Sequence, residues 1–448
     1  MSEELIINEI DKHKEEFTEF LRELIQCDSY NPPGNEKNVA VKIESYLKEV
    51  GINCDMYTFG KNRANIVASL NDNFEGRNLL FNGHIDVVPP GSVDEWKNPP
   101  LSAFIKKRRI FGRGAADMKG GLAAMVIALR VLKTLNLEIS GNLVLTAVAD
   151  EETGGLLGTK WLLDNGHQPK KCDFIIVGEP TGLNPLPKGI LLGEKGRVVV
   201  KIITNGISGH ASTPFMGRNA IYMMSDFIQN LDKLEENIPK IEPPITLDGL
   251  KELLLDAFSS SEILEKILAE QPLLQNILRS LTSFSKSLTM IKGGIKSNVV
   301  PDRCESLIDF RLLPGHTTEM LLTALKKLTK NLGYQVKNEP SGAPEEVFVY
   351  FEVIAESEAS YWKNWKDSQA LKDLGDIVNK IYKRKPLFFL LPASADASFY
   401  RNNGYCPATV LYGPGNAGTA HAVDENIEIQ DFIKAIKVYT IFAYKFLS

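Results

Sequence analysis

The chain has 448 residues, which is longer than a single hydrophobic core usually grows, so two domains are the first expectation. Hydrophobic residues make up 44% of the chain and charged residues 24%, proportions typical of a soluble globular enzyme. The net charge is −5 and no basic stretch carries interleaved aromatic residues, so no nucleic-acid partner is expected.

The five cysteines are widely scattered and form no C-x-x-C pair, so neither a disulfide framework nor a thiolate zinc site is indicated. The first 25 residues carry charges throughout instead of an apolar signal core, and no apolar run reaches membrane-spanning length. We therefore expect a cytoplasmic protein that does not bind a membrane.

Helices and short apolar runs alternate in the first part of the chain. Apolar residues at helical spacing predict one amphipathic helix over about residues 6–24 and a second over 36–50. Apolar runs predict strands at 65–70, 78–81, 143–148 and 174–177, with a helix at 121–135. This alternation is typical of an α/β sheet with helices on both faces.

The pattern changes after residue 187. Strands are predicted at 190–192, 198–204, 288–291, 305–312 and 346–355, helices at 218–234 and 317–332, and a helical, loop-rich stretch at 247–281. A helix at 368–382 and strands near 387 and 409 resume the first pattern. We expect one α/β domain, residues 1–193 and 359–448, interrupted by an inserted α+β domain, residues 194–358.

Two short motifs place candidate metal ligands at the ends of predicted elements. His84 and Asp86 follow an apolar strand two residues apart, so a carboxylate could orient a metal-bound imidazole there. A structural His–Asp pair would look the same. Asp117 lies in a glycine-rich run before the helix at 121–135 and could bridge two cations, although an N-cap is the simpler interpretation.

Three acids, Asp150, Glu151 and Glu152, directly follow the apolar strand at 143–148. Such a cluster is costly to assemble unless water or a cation neutralises it, so it is either a solvated loop or part of a metal site. Glu179 ends another strand, and His421 lies in a polar loop near the C-terminus. Because the three acids occur together with Glu179 and His421, the metal site is the favoured interpretation.

These five stretches resemble, in order and over nearly the whole chain, the co-catalytic zinc hydrolases that include aminoacylase, carboxypeptidase G, acetylornithine deacetylase and succinyl-diaminopimelate desuccinylase. The resemblance implies an α/β/α catalytic domain with an inserted lid and dimerisation domain. It also implies two zinc ions, replaceable by cobalt, with His84, Asp117 and Glu179 on one, and Asp117, Glu152 and His421 on the other.

The same resemblance gives Glu151 the role of general base and makes Asp86 the partner of the His84 ring. Charge supports the ligand set independently. Two Zn²⁺ contribute +4 and the three ligand carboxylates −3, which leaves +1 and favours ionisation of a bound water near neutral pH.

Three further residues resemble substrate-binding positions. His210 corresponds to a histidine that crosses a dimer interface and stabilises the oxyanion, although a lone histidine before a helix is often a cap or a surface residue. Arg311 and Asn298 resemble positions that bind the substrate α-carboxylate, for which a guanidinium is suited. An Asp309–Arg311 ion pair is the alternative.

The sequence therefore predicts a two-zinc metallocarboxypeptidase or amidohydrolase that acts on a small peptide or N-acyl amino acid, working as a homodimer joined through the inserted domain. An N-acyl-amino-acid deacylase is the alternative. The run 394–398 has Ser398 where deacetylases and desuccinylases typically have an arginine, which favours the carboxypeptidase branch. A two-zinc aminopeptidase does not account for His210 and Arg311, and a non-catalytic metal-binding protein does not account for Glu151 and His210.

Overall fold

A computed structural model of the protein describes residues 2–71, 76–169, 171–184, 186–258, 260–270, 272–339 and 346–448. The α-helices in these ranges are α1 (Ser2–Lys12), α2 (Lys14–Gln26), α3 (Lys37–Lys48), α4 (Lys119–Thr134), α5 (Thr159–Asp164), α6 (Ala220–Gln229), α7 (Leu247–Phe258), α8 (Ser261–Glu270), α9 (Pro272–Thr282), α10 (Thr318–Asn331), α11 (Gln369–Tyr382), α12 (Ala397–Asn402) and α13 (Ile429–Leu447).

The strands are β1 (Cys54–Phe59), β2 (Arg63–Ser69), β3 (Asn78–His84), β4 (Phe104–Lys106), β5 (Arg109–Phe111), β6 (Asn142–Val148), β7 (Phe174–Val177), β8 (Gly189–Glu194), β9 (Gly196–Asn205), β10 (Gly209–His210), β11 (Ser285–Gly293), β12 (Val299–Val300), β13 (Arg303–Leu312), β14 (Val336–Lys337), β15 (Phe348–Ser357), β16 (Ser360–Tyr361), β17 (Leu387–Leu391), β18 (Thr409–Leu411) and β19 (Asn426–Glu428).

The main sheet has the strand order β1-β2-β6-β3-β7-β18-β8-β16, with β17 beside β8. Its centre is parallel, because β3 pairs in parallel with both β6 and β7, and β7 with β18. These central strands are buried along their whole length, as expected when helices cover both faces of a parallel sheet. Their carboxyl ends therefore meet at one edge of the sheet.

A second sheet has the order β11-β13-β9-β15-β14 and is mostly antiparallel. β13 alternates buried and accessible residues, and its buried residues join α6 and α10 in a separate hydrophobic core. The chain passes between the two sheets twice, from β8 to β9 and from β15 to β16. The predicted class, an α/β catalytic sheet with an inserted α+β unit, is confirmed. The domain boundaries at 193/194 and 358/359 stay predictions.

The helical stretch 247–281 forms three helices, α7 to α9, and two of them pack back onto the main sheet. Leu250 and Leu254 of α7 and Leu278 of α9 share a core with Leu387 and other residues of β17. Near the end of α9, the buried Lys195 donates hydrogen bonds to two main-chain carbonyls, at 2.8 Å each. The stretch thus joins the inserted unit to the main sheet.

The observed elements differ from the predicted ones in a few places. The first predicted helix is two helices, because His13 has φ −104° and ψ 14° and interrupts the helical conformation. The helix predicted at 218–234 ends at Gln229 and continues as a 3₁₀ helix over Leu231–Glu236. The C-terminal helix α13, which packs against α4, was not predicted.

Candidate metal centre and catalytic site

The candidate metal ligands converge on the edge where the parallel strands end. His84 is the last residue of β3, Glu152 lies in a 3₁₀ turn after β6, and Glu179 follows β7. Asp117 comes from the loop before α4, and His421 from the loop between β18 and β19. Ligands commonly bind beside the carboxyl ends of strands in such sheets.

Asp117 lies between two groups of ligand candidates. Its Oδ1 is 3.1 Å from Nε2 of His84, and its Oδ2 is 3.0 Å from Nε2 of His421. Nε2 of His84 is also 3.8 Å from Oε1 of Glu179, and Nε2 of His421 is 3.1 Å from Oε2 of Glu152. One carboxylate oxygen therefore faces each group, which is the arrangement a bridging ligand needs.

The donor set fits divalent cations. Ligand atoms of His84, Asp117 and Glu152 all lie within 4.8 Å of one another. Two atoms bonded to one tetrahedral zinc at about 2.0–2.1 Å are separated by about 3.3 Å, which the distances of 3.0 to 3.8 Å bracket. In addition, Oε1 of Glu152 is buried without a hydrogen-bond partner, so it is available to a cation.

The cluster is electrostatically unfavourable by itself. Burial raises the pKa of Glu151 and of Glu179 well above the usual value, and neighbouring carboxylates raise it further. Hydrogen bonds that the His421 ring donates to the carboxylates of Asp117 and Glu152 raise the pKa of His421 to about 10. Burial lowers the pKa of His84, but the carboxylates around it outweigh burial and raise that pKa. Buried acids in this number are characteristic of metal sites and active sites.

Asp86 contacts both the His84 ring and the turn after β6. Nδ1 of His84 lies 2.9 Å from the main-chain oxygen of Asp86 and 3.6 Å from its carboxylate, so the ring is oriented mainly by the carbonyl. The buried Asp86 carboxylate instead accepts hydrogen bonds from the main-chain N–H groups of Glu151 and Glu152, at 3.2 Å each, and from Asn31 at 2.8 Å. Asp86 thereby fixes the backbone of the candidate base and of one metal ligand.

Glu151 lies beside the metal ligands, and no described ion pair or hydrogen bond joins its side chain to Asp117. Its Oε2 is 4.0 Å from Nε2 of His84. The preceding Asp150 has a left-handed backbone, with φ +74°, and its carboxylate accepts hydrogen bonds from Arg63 and Thr153. This turn directs the side chains of Glu151 and Glu152 differently.

His210 lies away from the metal cluster of its own chain. It is exposed on the short strand β10, which pairs with β12. The N–H of Ser212 donates to Nδ1 of His210 at 3.2 Å, so in the neutral ring the proton is on Nε2. Nε2–H is then an outward-facing donor. Asn298 lies nearby, since its main-chain oxygen accepts a hydrogen bond from Ala211.

Arg311 forms the ion pair with Asp309 that was the alternative to substrate binding, with Nε 2.8 Å from Oδ1. The same carboxylate also binds Arg197, at 2.8 Å. Two guanidinium groups thus share one carboxylate, which leaves a net positive charge on this face of the second sheet. The ion pair is therefore compatible with an added substrate carboxylate.

A groove of about 1020 Å³ lies beside β10 and β12. Its lining includes Phe215, Tyr222 and Ile295, but none of the metal-ligand candidates. Phe215 is 100% exposed and Ile295 is 89% exposed. The apolar surface around His210 is therefore open in the single chain.

Sequence reasoning missed residues that act on the site from within the core. Asp396 is buried, accepts a hydrogen bond from Thr159 at 2.8 Å, and has a pKa raised to about 7, mainly by burial. Glu425 and Arg113 form a buried ion pair between two ligand loops. Glu425 and Arg113 lie inside the motifs that carry the metal ligands, and this position could have pointed to them. Nothing in the sequence singled out Asn31.

The profile of peptidase family M20/M25/M40 matches residues 80–445. The chain is 28% identical to the succinyl-diaminopimelate desuccinylase of Pelagibacter ubique (strain HTCC1062) over 428 residues, which cover 94% of this chain and 96% of that relative. No helix in the described part of the chain combines the length and the apolar character needed to cross a membrane.

Two solved structures share the fold over nearly the whole chain. An M20 family metallo-carboxypeptidase from Sulfolobus solfataricus has a TM-score of 0.73 at 24% identity, covering 95% of this chain and 98% of its own. The dipeptidase Dug1p from Saccharomyces cerevisiae has a TM-score of 0.76 at 18% identity, covering 100% of this chain and 99% of its own.

Proposed function

This chain belongs to peptidase family M20/M25/M40 and hydrolyses amide bonds, and we propose that it is a two-zinc carboxypeptidase that releases an amino acid with a free α-carboxylate. The position of Asp117 carries the proposal. Its two carboxylate oxygens face two separate groups of N and O donors, as a ligand shared by two cations requires.

Each ion has three protein ligands in this proposal. One would be held by His84, Asp117 and Glu179, and the other by Asp117, Glu152 and His421. When bound, two zinc ions polarise a scissile carbonyl and lower the pKa of water. Cobalt would serve as well, since every ligand is an N or O donor.

Glu151 is the proton carrier of the reaction. Its carboxylate lies beside the cluster, 4.0 Å from His84, but is not among the bridging contacts, so it is free to accept the proton of the attacking water. The protonated Glu151 then delivers that proton to the leaving amine. Asp86 supports this step by holding the main-chain N–H of Glu151.

The substrate carboxylate would bind to Arg311 and Asn298 on the inserted unit. Two guanidinium groups around Asp309 leave positive charge for it. A second acidic group has no obvious partner near residues 394–398. Ser398 is buried and its hydroxyl donates to the Ala395 carbonyl, and the nearby Arg401 is occupied by Glu194 and the Thr409 carbonyl. This favours a peptide over a substrate acylated with a dicarboxylic acid.

An N-acyl-amino-acid deacylase is the second candidate, because the relative from Pelagibacter ubique is named a succinyl-diaminopimelate desuccinylase. Hydrolysis rates for a carbobenzoxy-dipeptide, N-acetyl-methionine and N-succinyl-diaminopimelate, measured with and without chelator, separate the two candidates. A kcat/KM highest for the dipeptide supports the carboxypeptidase, and one highest for the succinylated substrate replaces it with the deacylase. No chelator-sensitive hydrolysis of any amide would refute both.

We further propose a homodimer in which the inserted unit, residues 194–358, is both lid and contact surface. β11 is an edge strand of the second sheet, and its residues from Leu288 to Gly293 are exposed. An exposed apolar edge strand is suited to pair with a second copy across a two-fold axis. The exposed groove beside His210 would then receive the partner's active site. Sedimentation of the purified protein as a monomer would contradict this.

We also propose a cytoplasmic location. The five cysteines are all free thiols, three of them buried, which fits a reducing compartment. Recovery of the enzyme outside the cytoplasm after cell fractionation would overturn it.

A further inference from the structure

Glu425 is a buried carboxylate that binds the main chain next to the bridging ligand. Its Oε1 accepts hydrogen bonds from the N–H of Ala116 at 2.9 Å and from the N–H of Asp117 at 3.0 Å. Its own main-chain oxygen accepts from Gly112 at 2.9 Å. One side chain therefore sets the conformation of the loop that carries Asp117, without contacting the Asp117 carboxylate.

Arg113 extends this connection to the loop of His421. Its guanidinium is 2.6 Å from Oε2 of Glu425, and the two side chains are 2% and 0% exposed. It also donates to the main-chain oxygens of His421 and Ala422, at 3.2 Å each. The Trp96 ring packs against the guanidinium, with 5.1 Å between the ring centroid and Cζ of Arg113. The Arg113–Glu425 pair thus joins the loop of Asp117 to the loop of His421. Both ligands belong to the proposed second ion site, which also includes Glu152.

The ligands of the two proposed ion sites are held by different kinds of secondary structure. His84 and Glu179 are fixed by adjacent buried strands of the main sheet. His421 lies in a loop, has a left-handed backbone with φ +61°, and keeps a side chain that is 51% exposed. A non-glycine residue keeps such a conformation only when surrounding contacts fix it, and the bond from Arg113 to its carbonyl is one of these.

We infer that Arg113 and Glu425 are positioning residues that set the affinity of the second ion site, formed by Asp117, Glu152 and His421, while leaving the first site largely unchanged. The inference rests on the proposed two-ion function. Partners that orient metal ligands typically change metal affinity by about 10–100-fold when they are removed. Asp117 is shared by both sites, but the first site keeps His84 and Glu179, which end or follow buried strands. The loss should therefore be larger at the second site, where the backbone of His421 is held by Arg113.

The test compares Glu425→Gln with Glu194→Gln. The control removes a carboxylate from an equally buried ion pair, Glu194 with Arg401 at 3.2 Å, which makes no contact with either ligand loop. Titration of the metal-free proteins with Co²⁺ and Zn²⁺ would be followed by calorimetry and by cobalt absorption. We expect wild type and control to bind two ions, and Glu425→Gln to bind one normally and the other about 10–100-fold more weakly.

Activity gives a second readout. Because Glu425→Gln weakens binding of an ion and leaves every ligand and Glu151 in place, excess zinc should restore kcat to within a few-fold of wild type, with KM little changed. Equal weakening of both sites, unchanged affinity at both, or the same selective loss in Glu194→Gln would overturn the inference. If Glu425→Gln does not fold, Arg113→Lys is titrated in the same way, with the same outcomes deciding.

The result also separates this inference from the proposed function. A wild-type protein that binds fewer than two ions contradicts the proposed function, and the inference with it. A two-ion wild type combined with an unaffected Glu425→Gln contradicts the inference alone.

Discussion

Replacement of His210 by alanine tests the proposed assembly and mechanism together. His210 is exposed on β10, outside the sheet edge that carries the metal ligands, and its Nδ1 is bound by Ser212, so its free donor is Nε2–H. No described hydrogen bond or ion pair joins it to the metal cluster of its own chain. We therefore expect it to donate to the oxyanion in the partner's active site.

The expected loss follows from the role of the donor. Removing one oxyanion donor typically costs about 2.7–4 kcal/mol, which is about 10²–10³-fold in rate at 1.36 kcal/mol per tenfold. His210→Ala should fold and bind metal like wild type, because the side chain is exposed and, among the described residues, hydrogen-bonds only to Ser212. Its kcat should fall by this factor.

A subunit-mixing assay shows whether His210 acts across the interface. Glu151→Gln keeps an intact His210, and His210→Ala keeps an intact Glu151. Random exchange of equal amounts makes half of the dimers mixed, and each mixed dimer has one complete site of two, so about a quarter of wild-type activity should return. If mass analysis shows exchange and activity stays at the level of the separate variants, His210 does not act in the partner's site.

Three further predictions concern the same site. Glu151→Gln should keep both metals and lose about 10²–10⁴-fold in kcat, since it removes only the proton carrier; activity within about threefold of wild type at full metal content would refute the assignment. Chelation should abolish activity and added zinc or cobalt restore it, and full activity in protein shown to be metal-free by elemental analysis would contradict the mechanism. Arg311→Ala should lower kcat/KM for substrates with a free α-carboxylate by the equivalent of about 2–4 kcal/mol of binding free energy. The loss should be much smaller for the corresponding amides. Arg197→Ala, which keeps Arg311 paired with Asp309, shows how much of the loss comes from the net charge alone; equal losses for acid and amide in Arg311→Ala would make Arg311 structural.

The placement of the metal ligands could be read from local sequence. His84, Glu152 and Glu179 each follow an apolar run, and parallel strands bring such positions to one edge of a sheet whatever the rest of the chain does. The composition of the runs and the acids that end them are local properties. They were sufficient for the α/β class, whereas the grouping of these ligands around Asp117 was implied by the resemblance to the co-catalytic zinc hydrolases.

The contacts that orient these ligands were decided only by the tertiary structure. Asp86 was expected to bind the His84 ring. Its carboxylate lies 3.6 Å from that ring and also binds the backbone of residues 151 and 152, because the turn after β6 brings those N–H groups to 3.2 Å from it. Arg113 and Glu425 are 312 residues apart, and their pairing depends on how two loops pack, which no periodicity encodes.

The same distinction applies to the inserted unit. Its apolar periodicity predicted helices over 247–281, but their packing against Leu387 on the main sheet depends on surfaces more than 100 residues apart in the chain. Arg311 shows what local sequence cannot predict about a single residue. The sequence supplies a guanidinium and a carboxylate two positions apart, and only the neighbouring strand β9 adds Arg197 to the same Asp309 and leaves a positive charge for a substrate. Local sequence determines which groups are present, and long-range packing determines what each of them faces.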